Sequence, residues 1–298
     1  MECIVIFNEM QHSVELKQKE IDNLKDYIKK NSLKTAERKS EYESLRIKDA
    51  KIELILYNSG KLVYNDSEKT GRIIEGILET EREYDYTIGS DESGKGEWYG
   101  PLIVVCAALT PEEVKKFRLM EIRDSKTIPR ESLMKLAEKL IKYEFLRKSI
   151  VLMPETYNRK YREFKKEKKT LNDMMAWAHS RVIKDLLSSL DYEKARVVID
   201  KFDAKKTEFR LREIDRKRVE LIQKSKAESE IPVALASIIA KYIFEREVDG
   251  LNEKIGIDLR RIKPVDLDRK LLPLVAKMHF RNVAMAQCKL TLDNNEND

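Results

Sequence analysis

Apolar and polar positions divide the chain into two stretches with different rhythms. In residues 14–30, apolar side chains at Val14, Leu16, Ile21, Leu24 and Ile28 sit among Lys and Glu, which predicts one amphipathic helix. Residues 2–7 alternate weakly and are expected to form a strand; residues 31–41 are polar and are expected to form a loop. Two strand-like runs follow, at 45–48 and 51–57, and in the second Ile52, Leu54 and Leu56 point to one face. Asn58, Ser59, Gly60 and Lys61 form a hairpin signal, with a return strand through Leu62, Val63 and Tyr64. Ser67 is placed to cap a helix running to about Glu81.

From Tyr84 the rhythm changes. Residues 84–91 predict a strand, and after a glycine-rich turn residues 101–109 (PLIVVCAAL) are almost wholly apolar, as in a strand buried on both faces. Helices are expected near 111–118 and 129–142, a strand at 145–153, and mostly helix over 155–190. The run ARVVID at 195–200 predicts a short buried strand ending in a carboxylate, and residues 218–223 a further strand. Pro232 opens a long helix, at a turn where a missing N–H costs nothing. The last regular segment is expected to be a helix at about 265–280. Strands alternating with helices around a central sheet predict an α/β domain at 84–298, preceded by a small α+β domain at 1–80.

Charge adds direction. Residues 1–80 carry 14 basic and 15 acidic side chains, so the overall excess of +6 lies downstream. It concentrates at 156–170, with seven basic against two acidic, and at 201–226, with ten against five. Each run is compatible with a solvated helix face or with a nucleic-acid surface. The three cysteines, Cys3, Cys106 and Cys288, have no metal-ligand spacing and predict reduced thiols. No apolar run approaches the ~18–20 residues needed to cross a bilayer, and the N-terminus has no basic segment leading into an apolar one. The expectation is a soluble, cytoplasmic monomer.

The candidate chemistry is acidic. Asp91 and Asp200 end predicted strands, Glu92 adjoins Asp91, and Glu228 precedes a helix. Ligands of open α/β sheets gather at the carboxyl ends of strands, and clustered carboxylates repel one another unless cations are bound. Hard oxygen donors without His or Cys favour Mg²⁺ or Mn²⁺ over zinc. Two such ions about 4 Å apart can clamp the attacking and leaving oxygens of a phosphodiester displacement. With 53 acidic residues in the chain, acids at strand ends are also commonplace. The loop SDESGKGEWYGP at 90–101 is more specific: Gly94 and Gly96 flank Lys95, so backbone can approach a ligand with no Cβ in the way.

These motifs resemble the type 2 ribonucleases H, and within them ribonuclease HIII. GSDESGKGEWYGP (89–101) is similar to the family's first signature. Asp124-Ser125-Lys126 is similar to its DSK element, LNDMMAWAH (171–179) to the start of its long helix, and VIDKF (198–202) to the segment of the third acid. KAES (226–229) with the following VALASIIAKYIFERE is similar to the fourth acid and its helix, and VAKMHFRN (275–282) to the closing segment. The resemblance covers residues 84–285. It implies a ribonuclease H-like mixed sheet flanked by helices, and two-metal-ion hydrolysis of the RNA strand of RNA/DNA hybrids, leaving 5′-phosphate and 3′-hydroxyl ends. It also implies Asp91, Glu92, Asp200 and Glu228 as ligands of Mg²⁺ or Mn²⁺. Ser93, Gly94, Lys95 and Gly96 match the substrate loop, which contacts the ribose 2′-hydroxyls, the group DNA lacks. Lys126 and Ser237 match positions near the substrate backbone. Two departures stand out: Glu97 replaces a more usual Asp, and Glu230 stands where Lys is common. Residues 1–80 resemble the family's N-terminal domain, itself like half of the TATA-binding protein, with Lys48, Lys51, Lys61 and Tyr57 as candidate hybrid contacts.

Other candidates are Trp98 and Tyr99, which could shape the groove, and Tyr157, Tyr161 and Phe164, interleaved with basic residues as on a nucleic-acid face or packed as core. His279 could assist product release or be structural; His12 and His179 are expected to do nothing chemical. A second enzymatic reading is ribonuclease HII-like incision at single ribonucleotides embedded in DNA, which Glu228 and the N-terminal domain disfavour. A reading from another class is a nucleic-acid binder without catalysis, disfavoured by the presence of all four acids.

Overall fold

The computed structural model describes residues 11–120, 122, 128–200 and 203–292. The expected strand at 2–7 lies outside these residues, as do Asp124, Ser125, Lys126, Lys201 and Phe202. Two units emerge: residues 1–82 with 111–122, and residues 83–110 with 123–298.

In the first unit, β1 (Gln11–Glu15), β2 (Glu43–Asp49), β3 (Ile52–Tyr57) and β4 (Lys61–Asn65) form an antiparallel sheet in the order β1-β4-β3-β2. Helices α1 (Gln18–Lys30) and α2 (Glu68–Ile77) supply Leu24, Ile28, Ile73, Ile74 and Ile77 to a core shared with Ile47, Leu54, Leu56 and Leu62. The expected helix over 14–30 is corrected at its start. Val14 pairs with Leu62 in the ladder, and Leu16 N–H donates to the Gly60 carbonyl. The two-residue spacing of Val14 and Leu16 is the period of a strand; the helical spacing begins only at Ile21 and Leu24. Ser67 caps α2, accepting from Thr70 N–H, and that helix ends at Ile77, short of Glu81.

Helix α3 (Pro111–Leu119) belongs to this first unit, although the chain reaches it from the second. Its Arg118 forms a two-pronged ion pair with Glu20, at 2.6 and 2.8 Å, and Glu20 is only 1% exposed. Burial acts to raise the Glu20 pKa, and the Arg118 guanidinium outweighs it, so the carboxyl lies below its ordinary range.

In the second unit, β5 (Tyr86–Ser93), β6 (Leu102–Leu109), β7 (Leu146–Leu152), β8 (Ala195–Asp200) and β9 (Val219–Lys224) form a mixed sheet in the order β7-β6-β5-β8-β9. β5, β8 and β9 run parallel, while β6 runs against both its neighbours. Every residue of β6 is buried, as its unbroken apolar run predicts. One face of the sheet packs on α6 (Leu171–Leu187), through Met174, Met175, Ala178 and Val182 against Ile88, Val104, Cys106, Val197 and Ile199. The other carries α8 (Ile231–Ile255), whose Val233 packs with Val198. This is an α/β fold with a mixed sheet flanked by helices. α4 (Arg130–Ile141) is joined to α8 by Arg130, which donates to Glu245 and Asp249.

The mostly helical reading of 155–190 holds: the stretch forms α5 (Pro154–Lys166) and α6, parted where Lys168 takes a left-handed backbone and Thr170 with Asp173 forms a capping box at the new start. A short helix α7 (Ala204–Arg210), capped by Asp203, was not anticipated. The single helix expected at 265–280 is instead the short α9 (Leu272–Val275), followed by extended backbone and then α10 (Arg281–Leu292). Ala276 is extended because it bridges Tyr99, so that stretch is committed to pairing rather than to helix. Among the described residues no helix is long and apolar enough to cross a membrane.

Candidate active site

The parallel ladder between β5 and β8 ends with Ser90 opposite Ile199. The next residue on each strand is an acid, so Asp91 and Asp200 follow the last paired residues of this ladder on strands spaced by about 4.8 Å. Asp200 ends β8, whereas β5 runs on past Asp91 to Ser93, which corrects the expectation that Asp91 ends its strand. Side chains alternate along a strand. Gly89 and Asp91 therefore face α8, whereas Ser90 and Glu92 face α6. Gly89 explains how α8 comes so close: a Cβ there would lie 2.2 Å from Val233 N and 2.3 Å from the Pro232 carbonyl carbon. A glycine two residues ahead of the first acid is the sequence mark of this close approach.

Three of the four candidate acids are held by named partners. Asp91 accepts a hydrogen bond from Ser237 and is mostly buried; burial, then the charge of Glu92, push its pKa up to about 6. Asp200 accepts from Ala227 N–H at 3.3 Å, which ties the end of β8 to the turn Ala227–Ser229 that carries Glu228. That turn follows Lys226, whose backbone is left-handed. Glu92 lies 3.1 Å from His179 Nε2 and 3.3 Å from Lys95 Nζ. Burial acts to raise the Glu92 pKa, and these two partners overcome it, taking the carboxyl down to about 2.

His179 is thus the residue that sequence reasoning dismissed. It is fully buried on α6, and its Nδ1 lies 2.8 Å from Ser90 Oγ. Ser, His and Glu in a row resemble a hydrolase triad, but Ser90 is fully buried and its hydroxyl lies 3.0 Å from the Val105 carbonyl as donor. No substrate carbonyl can reach it. The row orients Glu92.

The expected substrate residues fare differently. Ser237, expected near the substrate backbone, is 4% exposed and engages Asp91 instead. Lys126 lies outside the described residues. Ser93 is buried at the end of β5. Gly94 has φ +85°, and a Cβ there would lie 2.1 Å from the Pro101 carbonyl oxygen and 2.8 Å from the Phe244 ring. Its glycine is required by the protein's own backbone, not by an approaching ribose. Gly96 is exposed, and a Cβ there would meet open space. Lys95 points back to Glu92. Glu230, where a positive charge was expected, pairs with Lys224, the residue opposite Asp200 in the β8–β9 ladder. Tyr157 and Phe164 are buried members of the α5–α6 core, which rules out a stacking platform at those two positions. Trp98 and Tyr99 pack on the C-terminal cluster with Val275 and Ala276.

Among the described residues, no three His, Cys, Asp or Glu side chains close into a group that could by itself hold a metal ion. The donor chemistry nonetheless fits a hard dication. The acids at this sheet end are carboxylates, and Asp91 carries an unfavourable charge beside Glu92 that a cation would relieve.

Comparison with known proteins agrees with this architecture. The family model described as Ribonuclease HII matches residues 88–277. The chain belongs to the ribonuclease HII family. Within it, curated relatives are named ribonuclease HIII: the one from Protochlamydia amoebophila is 32% identical over 217 residues, covering 68% of this chain and 69% of the relative. That from Chlamydia pneumoniae is 29% identical over 287 residues, covering 87% and 92%. The crystal structure of Bst-RNase HIII in complex with Mn²⁺ superposes with a TM-score of 0.61 at 22% identity, covering 96% of this chain and all of the other. Aquifex aeolicus RNase H3 gives 0.53 at 22% identity, covering 90% and all of that chain. The resemblance to ribonuclease HIII is thereby upheld, and the protein is an endonuclease of the ribonuclease H type.

Proposed function

We propose that the protein hydrolyses the RNA strand of continuous RNA/DNA hybrids, with Asp91, Glu92, Asp200 and Glu228 holding two divalent ions, Mg²⁺ or Mn²⁺, and with 5′-phosphate and 3′-hydroxyl products. The single observation that carries it is the register of two adjacent parallel strands, in which Asp91 and Asp200 directly follow the last paired residues of the ladder, with the turn of Glu228 tied to Asp200 through Ala227 N–H. The Mn²⁺ complex of the related Bst-RNase HIII supports the same class of ion. When bound, such ions supply Lewis-acid polarisation of the phosphodiester and lower the pKa of a water. The chain's own residues do the rest. Ser237 fixes Asp91, Ala227 N–H fixes Asp200, and His179 with Lys95 keeps Glu92 ionised and oriented.

Selectivity for RNA is assigned to the loop at Ser93, Gly94, Lys95 and Gly96, where exposed Gly96 leaves backbone open to a ribose. The N-terminal unit is assigned to hybrid binding. Register and alternation put Lys48, Tyr57 and Lys61 on the sheet face away from α1 and α2, with Lys51 in the turn between β2 and β3. The test offers the protein a continuous hybrid and a DNA duplex with one embedded ribonucleotide, each with Mg²⁺ or Mn²⁺. Preference for the hybrid is expected; equal or better cutting of the single ribonucleotide would move the protein to the ribonuclease HII activity.

A further inference from the structure

Lys277 is a fully buried lysine that the proposed chemistry does not use. Its Nζ donates to the Glu97 carbonyl at 3.0 Å and the Tyr99 carbonyl at 2.8 Å, while its backbone N–H donates to the Trp98 carbonyl at 2.7 Å. One residue thus takes three successive carbonyls of the loop that follows Gly96. Around it, Gly100 N–H donates to the Val275 carbonyl at 2.8 Å, and Tyr99 bridges Ala276. The ammonium also faces the rings of Tyr157 at 5.7 Å and Phe244 at 6.0 Å. Phe244 is the ring that packs over Gly94 and Gly100, so the loop is gripped from both sides.

Burying a lysine is costly, and a methionine would fill the same space without that cost. What methionine lacks is an N–H for the two carbonyls. Burial pushes the Lys277 pKa down to about 7, against a smaller upward pull from Glu97, yet a neutral amine keeps two N–H bonds, enough for both acceptors. The contact therefore survives either protonation state. His279, two residues on, is stacked against Tyr157 and tilted against Tyr161, beside the same Tyr157 ring that the ammonium faces.

We infer that Lys277 is a positioning residue that holds the 94–100 loop in the shape that meets the RNA strand. This rests on the reading that the loop contacts substrate. Because Lys277 touches no acid of the centre, its loss should act on substrate affinity and leave the metal ligands alone.

The test uses the 298-residue chain carrying Trp177→Phe, which leaves Trp98 as its one tryptophan and as a reporter inside the loop. Into it go Lys277→Met and, separately, Leu186→Ala, a core truncation on α6 chosen as a control for general destabilisation. Acrylamide quenching of Trp98, Mn²⁺ affinity by calorimetry, and KM and kcat on a continuous hybrid are measured well below each Tm. Lys277→Met should increase Trp98 quenching and raise KM about tenfold, with kcat and Mn²⁺ affinity within about twofold, whereas Leu186→Ala should change none of these. Unchanged quenching in Lys277→Met overturns the inference. Increased quenching with unchanged KM would show that Lys277 shapes the loop but that the loop does not meet substrate, which overturns the reading on which the inference rests. A matching change in Leu186→Ala would reduce the effect to lost stability and overturn it as well.

Discussion

His179 Nε2 lies 3.1 Å from a Glu92 carboxylate oxygen, while the other ring nitrogen lies 2.8 Å from Ser90 Oγ. The ring spans two residues of one strand from the helix above it. The two nitrogens can be separated by substitution. An asparagine amide falls near Nδ1 and keeps Ser90; a glutamine amide reaches toward Nε2 and keeps Glu92. If His179 serves Glu92, His179→Gln should keep Mn²⁺ affinity within about threefold, while His179→Asn should lose about tenfold or more, the usual scale for a ligand's supporting partner. Calorimetric titration with Mn²⁺ checks this. Equal losses in both variants would mean that the ring only packs α6 on the sheet.

Asp91 gives a pH prediction for the metal-free protein. Its folded pKa of about 6 is above its ordinary 3.8, so the folded state binds more protons between these values. Its contribution is therefore fully present below about pH 4 and is lost as pH rises through 6, a loss on the order of 2–3 kcal/mol. Asp91→Asn should remove that fall, making the metal-free variant more stable than the parent at pH 7 and nearly equal to it at pH 4. Urea unfolding at the two pH values measures it. A parent no less stable than Asp91→Asn at pH 7 would contradict the assignment of strain to this carboxylate.

The glycine loop separates two glycines that look alike in sequence. At Gly94 any Cβ meets the Pro101 carbonyl, and φ is positive, so Gly94→Ala should distort the loop and lower Tm at a cost of roughly 1 kcal/mol or more. Gly96→Ala meets no protein atom and should leave Tm unchanged. If the backbone at Gly96 touches a ribose, KM for the hybrid should still rise. Thermal melts alongside steady-state kinetics distinguish the two, and an unaltered KM in Gly96→Ala would remove that position from the substrate surface.

The strands that carry Asp91 and Asp200 were legible in sequence from alternation and an apolar run. With 53 acidic residues in the chain, position did not single out the candidate acids; the resemblance of their motifs to ribonuclease HIII did. His179 was not legible because its partners are 87 and 89 residues away, and a histidine inside a helix looks the same whether it touches an acid or an alkane. Ser237 was assigned outward because the family pattern gives a position, not a side-chain direction. The final helix was misplaced since the apolar spacing at 265–280 suits a helix, while the backbone there is claimed by pairing of Ala276 with Tyr99. For β1, two apolar residues sat between a helical and a strand period, and partner strand β4 decided the matter.

The placement of α3 alters what a truncation can test. Removing residues 1–80 would strip Arg118 of Glu20 and Leu119 of its apolar neighbours. The remaining chain should therefore aggregate or lose stability, confounding any change in KM. Within the intact protein, Arg118→Ala leaves Glu20 charged and buried, which should destabilise the first unit by about 3 kcal/mol or more. Denaturant unfolding should then show an earlier transition for that unit, and Glu20→Gln in the same chain should recover part of the loss. An unchanged transition in Arg118→Ala would show that the pair contributes little.

The most direct measurement for the central claim is single-turnover cleavage of a continuous RNA/DNA hybrid by Asp91→Asn and Asp200→Asn, alongside hybrid binding by the same proteins. Both carboxylates are proposed as metal ligands rather than substrate contacts. Each variant should bind the hybrid within a few-fold of the parent, lose cleavage by about a thousandfold or more, and show weakened Mn²⁺ affinity by calorimetry. Near-parental cleavage by either variant would contradict the assignment of these two acids to the catalytic metal centre.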